Sequence, residues 1–300
     1  MRIVRVFPLL FITALPACAD AAPDGTPGGR GAAGDRVVLT YVGNEGFLVA
    51  ADGRKVLVDA LYRGGVSGYV VIPEERRRLL EGALPPFDGV DLLLATHHHA
   101  DHFDPQAVGA HLKKNPGARF FSTRQAVERL RSEFAGFDAV RDRVEGVTPG
   151  EGERARRSVR GIELEILTLH HGRDRPIENL GFLFVIGGRK MLHVGDTEAT
   201  ADDFAVYDLA AERIDVAFLP FWHLIGENRP AAVRSAIRSE RIVVMHVPPR
   251  EADDPFIAGL GGWESMLSGI ERAFPRAIVF REEMGVKRIP GRGPATPTVR

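Results

Sequence analysis

One cysteine occurs in 300 residues, Cys18, and it lies ahead of everything that reads as folded, so the folded part has no cysteine nucleophile. Long apolar runs are also missing. The run near the N-terminus falls short of the roughly 20 residues needed to cross a bilayer. Charge of one sign is lacking too: the formal net charge is −1, which gives no electrostatic case for binding nucleic acid. No short-period repeat of the solenoid kind is present. What remains, 44% hydrophobic and 26% charged residues, is the make-up of an ordinary globular protein of one large domain or two small ones.

The N-terminus reads as an export signal. In "MRIVRVFPLLFITALPACADAA", Arg2 and Arg5 precede a short apolar run that closes in small residues. "LPAC" resembles the lipobox of bacterial lipoproteins, although Pro16 departs from the usual small residue. The expectation is a signal over residues 1–17, a lipid on Cys18 that attaches the chain to a bacterial membrane on the periplasmic side, and a Gly/Ala/Pro-rich flexible tether over 18–36. Cleavage near Ala19 or Ala21, giving a soluble form, is the alternative.

From Val37 to Ile289 the pattern is that of one α/β domain, with residues 290–300 expected as a disordered tail. "RVVLTYVGNEGFLVAADGRKVLVDA" predicts two or three strands, with an Asp-Gly hairpin turn at "ADGRK". "PEERRRLLEGAL" predicts a helix with Pro73 in its first turn, and "GVDLLLAT" a strand buried on both faces. Next come a helix capped by Asp104 and opened by Pro105, strand "ARFFS" and helix "TRQAVERLRSEF". A second meander, "GIELEILTL", "LGFLFVIGG" and "RKMLHVGD", leads to helix "DDFAVYDLAAE", strand "IDVAFLP", helix "RPAAVRSAIRSE", strand "RIVVMHV", helix "GGWESMLSGIERAF" and strand "AIVF". Strands and helices thus recur in two comparable halves.

Histidine is the residue in unusual supply. In "THHHADH", His97 and His99 are two apart and share a side of an extended segment, so they can face one metal; Asp101 and His102 can face a second. Imidazole with carboxylate suits zinc, and also manganese or iron. One loop cannot complete such sites, and other strand ends offer what is missing: His170 and His171 after "EILTL", Asp196 after "MLHVG", and His246 after "IVVM".

The order "HHHADH", "HHG", "GDT", "MHV" resembles the metallo-β-lactamase superfamily, and the likeness covers nearly all of 37–289. It implies a four-layer αββα sandwich and two divalent ions. By the resemblance His97, His99 and His171 hold one ion and Asp101, His102 and His246 the other, with Asp196 between them. His170 stays an alternative to His171, which is favoured because Gly172 follows it. Asp59 would orient a ligand imidazole. His98, His111 and His193 read as structural. His223, beside Trp222 past the end of a strand, is weighed evenly between packing and a role in substrate contact or proton transfer. Asp101, Asp196 and His223 are the residues expected at the chemistry. Asn179 is expected to brace a turn.

The implied reaction is hydrolysis of an ester, lactone or phosphodiester by a metal-bridging hydroxide, on a small-molecule or lipid substrate. The opening "GNEGFLV" and the "GDT" context look most like the branch holding ascorbate phosphate lactonase and the phospholipase D acting on N-acyl phosphatidylethanolamines. About 50 positions separate Asp196 from His246, too few for the inserted domain of the superfamily's nucleases. Alternatives are a metal-retaining protein without catalysis and a β-lactam hydrolase. A flavodiiron-type oxidoreductase fits worse, since that family exchanges one imidazole for a carboxylate and adds a flavin domain.

Overall fold

The computed structural model describes residues 36–65 and 68–290; the expected signal, Cys18, the expected tether up to Asp35 and the expected tail after Pro290 lie outside them. The chain opens with a meander, β1 (Arg36–Gly43), β2 (Gly46–Ala51) and β3 (Arg54–Val58). Asp52 and Gly53 both take positive φ in the β2–β3 turn, as its Asp-Gly pair demands. Then follow α1 (Glu74–Glu81), β4 (Leu92–Leu94), α2 (Pro105–Lys114), β5 (Arg119–Ser122), α3 (Arg124–Glu133) and β6 (Val144–Gly146). Pro73 precedes the first turn of α1 instead of sitting in it. Asp104 caps α2 by accepting the Ala107 N–H, and Thr123 caps α3 in the same way.

The second half repeats the plan. Its meander is β7 (Arg154–Val159), β8 (Ile162–Thr168), β9 (Leu180–Ile186) and β10 (Arg189–His193). After it come α4 (Ala201–Ala205), β11 (Val216–Pro220), α5 (Arg229–Ala232), β12 (Arg241–Met245), α6 (Pro255–Gly259), α7 (Trp263–Ala273), β13 (Ala277–Ile278) and β14 (Val286–Pro290). Two sheets result, β14-β1-β2-β3-β4-β5-β6 and β13-β12-β11-β10-β9-β8-β7, each antiparallel on one side and parallel on the other.

The sheets face each other through apolar side chains, as in the 4.9 Å approach of the Phe47 and Phe218 rings. Alternation along β4 shows why its sequence is continuously apolar: Leu92 and Leu94 enter the core between the sheets, while Leu93 joins Leu80, Leu112 and Leu130 under the helices. Helices cover both outer faces, which makes the four-layer αββα sandwich.

Several elements differ from expectation. The predicted helix over 202–212 breaks in two. Thr200 and Asp203 form a capping box that starts α4, and Asp208 in a left-handed conformation separates it from a 3₁₀ turn at Leu209–Glu212. The helix predicted over 229–240 ends in a π-turn, Val233–Ile237. Strand "AIVF" shrinks to Ala277–Ile278, and the chain then returns to the first sheet as β14, which pairs with β1. The ordered elements reach one residue past the expected limits at each end, to Arg36 and Pro290.

His111 is structural, as expected. Fully buried on α2, it places Nδ1 2.5 Å from the Leu80 carbonyl, and burial pulls its pKa down to about 4. Its unfolded value is about 6.5, so on acidification the unfolded chain takes the proton first. The stability from the neutral ring is therefore complete above about pH 6.5 and is lost as the pH falls toward 4. The stability difference between wild type and His111→Gln should shrink by on the order of 3 kcal/mol from pH 7 to pH 4. Urea midpoints measured at both pH values check this; a difference independent of pH would refute it.

Candidate metal centre

The chemistry-bearing residues gather where strands end. β4 runs out into Thr96, His97, His99, Asp101 and His102; β8 leads to His171, β10 to Asp196 and β12 to His246. Carboxyl ends of strands are where open α/β sheets place ligands, because adjacent chain paths diverge there and leave a crevice. The β1–β2 turn reaches the same edge and contributes Asn44 and Glu45, both fully buried.

Three groups of potential metal donors form among the described residues, of which Glu45, Asp59 and His102 make one and two sets hold the ligands expected from the sequence. In one, ligand atoms of His97, His99, His171 and Asp196 lie within 4.8 Å of one another; in the other, those of Asp101, His102 and His246 do. His171 Nε2 is 3.2 Å from His99 Nδ1 and 3.2 Å from Asp196 Oδ2. The same Asp196 oxygen is 3.7 Å from His246 Nε2, so one carboxylate touches both sets. His102 Nε2 and His246 Nε2 lie 3.6 and 3.8 Å from Asp101 Oδ2. His171 faces the cluster, whereas His170 turns away and places Nε2 3.0 Å from Asp203.

Hydrogen bonds fix the rings. Asp59 Oδ1 accepts the Thr96 N–H at 2.7 Å, and its Oδ2 accepts the Thr96 hydroxyl at 2.7 Å and the His102 Nδ1–H at 3.0 Å. With its hydroxyl proton committed to Asp59, Thr96 can accept the His97 Nδ1–H at 3.1 Å. Both imidazoles are thereby held with Nε2 as a free lone pair, the tautomer a metal requires. Asn44 Nδ2 donates to Asp101 Oδ2 at 3.0 Å.

The donor set fits a cation. His97 Nε2, His102 Nε2, His246 Nε2 and Asp101 Oδ1 are buried and have no hydrogen-bond partner among the described residues, a concentration of orphans that folded proteins otherwise avoid. Burial and neighbouring histidines hold His97 and His246 far below the usual imidazole range and push His171 down to about 3, so these rings are neutral, as ligands must be. Burial, together with the charge of Asp101, pushes Asp196 up to about 6 although His102 opposes the shift. Burial also raises Glu45 strongly, reinforced by Asp196, Asp59 and Asp101. That accumulation of carboxyl groups is what positive charge would relieve.

His98 and His193 lie outside both donor sets, and His193 instead donates from Nε2 to the Glu45 carbonyl at 3.0 Å. Asn179 donates to the Leu169 and Val194 carbonyls and braces the loops, as expected. His223 lies outside both donor sets: it is buried, its Nε2 is committed to the Thr197 carbonyl at 3.0 Å, burial lowers its pKa to about 4, and it braces the loop after Asp196 while its ring lines a neighbouring cavity. Glu45 and Asn44 were not anticipated, since nothing in "GNEG" shows that the turn closes over residues 57 positions away.

Backbone constraints finish the site. His246 has φ +57, an unfavourable conformation for a residue with a side chain, and its N–H donates to the Asn44 carbonyl at 3.2 Å. Gly195 has φ +65, and a Cβ there would meet the Asn179 side chain and sit 2.7 Å from Thr96 Cβ; only glycine lets the chain deliver Asp196 at this point. Outside the cluster, Tyr69 and Trp222 rings pack 4.3 and 4.9 Å from His246. Tyr69, Arg175, Glu198, Trp222 and Arg229 form the mouth over His171 and Asp196, a cavity of about 390 Å³.

Residues 54–252 match the family model described as the beta-lactamase superfamily domain, a span that contains every residue of the two donor sets. A UPF0173 metal-dependent hydrolase of Aeropyrum pernix is 29% identical over 167 residues, 55% of this chain and 63% of that protein. An N-acyl-phosphatidylethanolamine-hydrolyzing phospholipase D of Caenorhabditis elegans is 22% identical over 224 residues, 69% of this chain and 62% of its own length. The chain thus spans less than two thirds of either relative. Among solved structures, the metallo hydrolase Igni18 of Ignicoccus hospitalis superposes with a TM-score of 0.57 at 22% identity, over 86% of this chain and all of its own.

Proposed function

Because the chain belongs to the beta-lactamase superfamily, we propose that it is a metal-dependent hydrolase that cleaves an ester, lactone or phosphodiester at a two-metal centre. The observation that carries this reading is the single Asp196 oxygen lying 3.2 Å from His171 Nε2 and 3.7 Å from His246 Nε2, amid imidazole nitrogens that nothing else engages. His97, His99 and His171 would hold one ion, Asp101, His102 and His246 the other, and Asp196 would serve both. Zinc suits this nitrogen-and-carboxylate set, with manganese or iron as substitutes. Bound ions supply Lewis acidity and a water acidic enough to act as nucleophile near neutral pH.

The chain's own groups do the rest. Asp59 and Thr96 hold two imidazoles in the ligating tautomer, and Asn44 holds the Asp101 carboxylate. Tyr69 and Trp222 cover His246 and keep bulk water off that side of the cluster. Arg175 and Arg229 at the mouth present two guanidinium groups to the negative charge that develops during attack on a carbonyl or phosphoryl group.

Purified protein should carry two divalent ions per chain. Turnover on a panel of esters, lactones and phosphodiesters should vanish on chelation and return with zinc, manganese or iron. Protein that binds no metal, or that is metal-replete and turns over nothing on the panel, would overturn the reading. We further propose that the chain is exported and anchored through a lipid on Cys18, as "LPAC" suggests. Metabolic labelling with a fatty acid should then label the wild type and not Cys18→Ser; equal labelling of both would exclude the anchor.

A further inference from the structure

A second cavity, of about 560 Å³, opens beside the metal cluster between α4 and α5. Its walls include Ala199, Ala201, Phe204, His223, Ala232 and Val233. Three of the polar side chains in these walls are already engaged, while Asn228, Glu198 and Arg229 complete the polar part of the lining. His223 Nε2 lies on the Thr197 carbonyl, the Thr200 hydroxyl on Asp203, and the Ser235 hydroxyl donates to the Ala232 carbonyl. The surface left for an occupant is therefore mainly apolar, contributed by four alanines, Phe204 and Val233, in a volume typical of ligand sites.

This hollow adjoins the mouth of the metal cluster, since Glu198 and Arg229 line both. Arg229 is exposed and, among the described residues, donates a single long bond, 3.4 Å, to the Trp222 carbonyl, while Arg175, also at the mouth, stands 3.6 Å from Glu198. A ligand leaving the cluster thus passes two cationic side chains before it reaches hydrocarbon.

We infer that the substrate is an anionic amphiphile, whose charged group sits at the mouth between Arg175 and Arg229 and whose alkyl chain fills the cavity between α4 and α5. The inference deepens the hydrolase reading, and it assigns His223 and Phe204 as walls of the chain-binding hollow. Ala199, Ala201 and Ala232 matter through what they lack, since a larger side chain at any of them would occupy the path of the chain.

Binding separates this inference from catalysis. Metal-loaded protein is titrated calorimetrically with methyl, butyl, hexyl and octyl phosphate, the first serving as a probe of the charged group alone. From butyl to octyl the dissociation constant should fall about fourfold per added methylene, the worth of burying each in an apolar site. In Ala232→Phe, and independently in Ala201→Phe from the opposite wall, methyl phosphate should bind as in the wild type. The gain per methylene should drop below about twofold, measured against the same transfer value. A wild-type series that is flat or does not bind, or gains that persist in both variants, would overturn the inference. Normal chain-length gains with no turnover on any substrate would instead overturn only the hydrolytic reading.

Discussion

Replacing Asp196 with asparagine is expected to lower kcat/KM by at least ~10²–10³-fold, a loss of roughly 3–4 kcal/mol of transition-state stabilisation, and to reduce the metal content below two per chain. The side chain keeps its shape, so the fold should survive; what changes is the charge on the oxygen that lies within 3.7 Å of ligand nitrogens from both sets. An amide oxygen is a weak ligand for two cations at once, and its nitrogen cannot be one at all. The sign of the Asp196 shift supports the same expectation. Its pKa is pushed up to about 6 mainly by burial, so in the metal-free protein part of the population is protonated near neutral pH, and loading of the site should release protons. Metal analysis and steady-state kinetics on the same preparation check the prediction. An Asp196→Asn protein with two ions and wild-type turnover would sink both the bridging role and the mechanism built on it.

The ligand-bearing strand ends were legible because each combines a buried apolar strand with a polar residue just past its end, a pattern that survives in one dimension. His97, His99, Asp101 and His102 follow "DLLLAT", His171 follows "EILTL", and His246 follows "IVVM". What failed to show were contacts made across the fold. Asn44 and Glu45 meet the cluster only because the β1–β2 turn folds over it. His223 follows the same strand-end pattern as the ligands, yet a 3₁₀ turn at Phe221–His223 swings its Nε2 to the Thr197 carbonyl. Among strands, β7 was hidden because Arg154, Arg156 and Arg157 find Glu165, Glu212 and Glu145 as partners instead of a core. β14 was hidden because it covers the exposed edge of β1 with Lys287 and Arg288, charges suited to a sheet edge and not to a buried strand. The two-half pattern was readable since both halves pair an antiparallel meander with parallel strands, whereas the return of β14 to the first sheet is a long-range pairing that no local period encodes.

Asp59 is the second residue whose loss should be severe, and two substitutions there should fail in different ways. The carboxylate is almost completely buried and accepts three bonds, from the Thr96 N–H, the Thr96 hydroxyl and His102 Nδ1–H. Asp59→Ala leaves all three donors without acceptors at the end of β3, so it should cost about 3–5 kcal/mol of stability, read as a lower urea midpoint. Asp59→Asn is the more informative change. Its oxygen can still accept the Thr96 N–H, but its NH₂ group, in the place of Oδ2, would then face the His102 Nδ1–H, donor against donor, while the Thr96 hydroxyl is free to turn and accept from it. His102 resolves that conflict by moving its proton to Nε2, the nitrogen that now points at the cluster without a partner. The ring would keep its place and lose its lone pair for metal. Asp59→Asn should therefore fold with little loss of stability while metal affinity at the Asp101, His102 and His246 set falls about 10–100-fold. Competitive chelator titration measures the affinity, and the urea midpoint separates it from unfolding. An Asp59→Asn protein that binds metal as tightly as the wild type would mean that His102 is not held in its ligating tautomer by Asp59, and the hydrogen-bond chain from Thr96 through Asp59 to His102 would then have no part in setting the site.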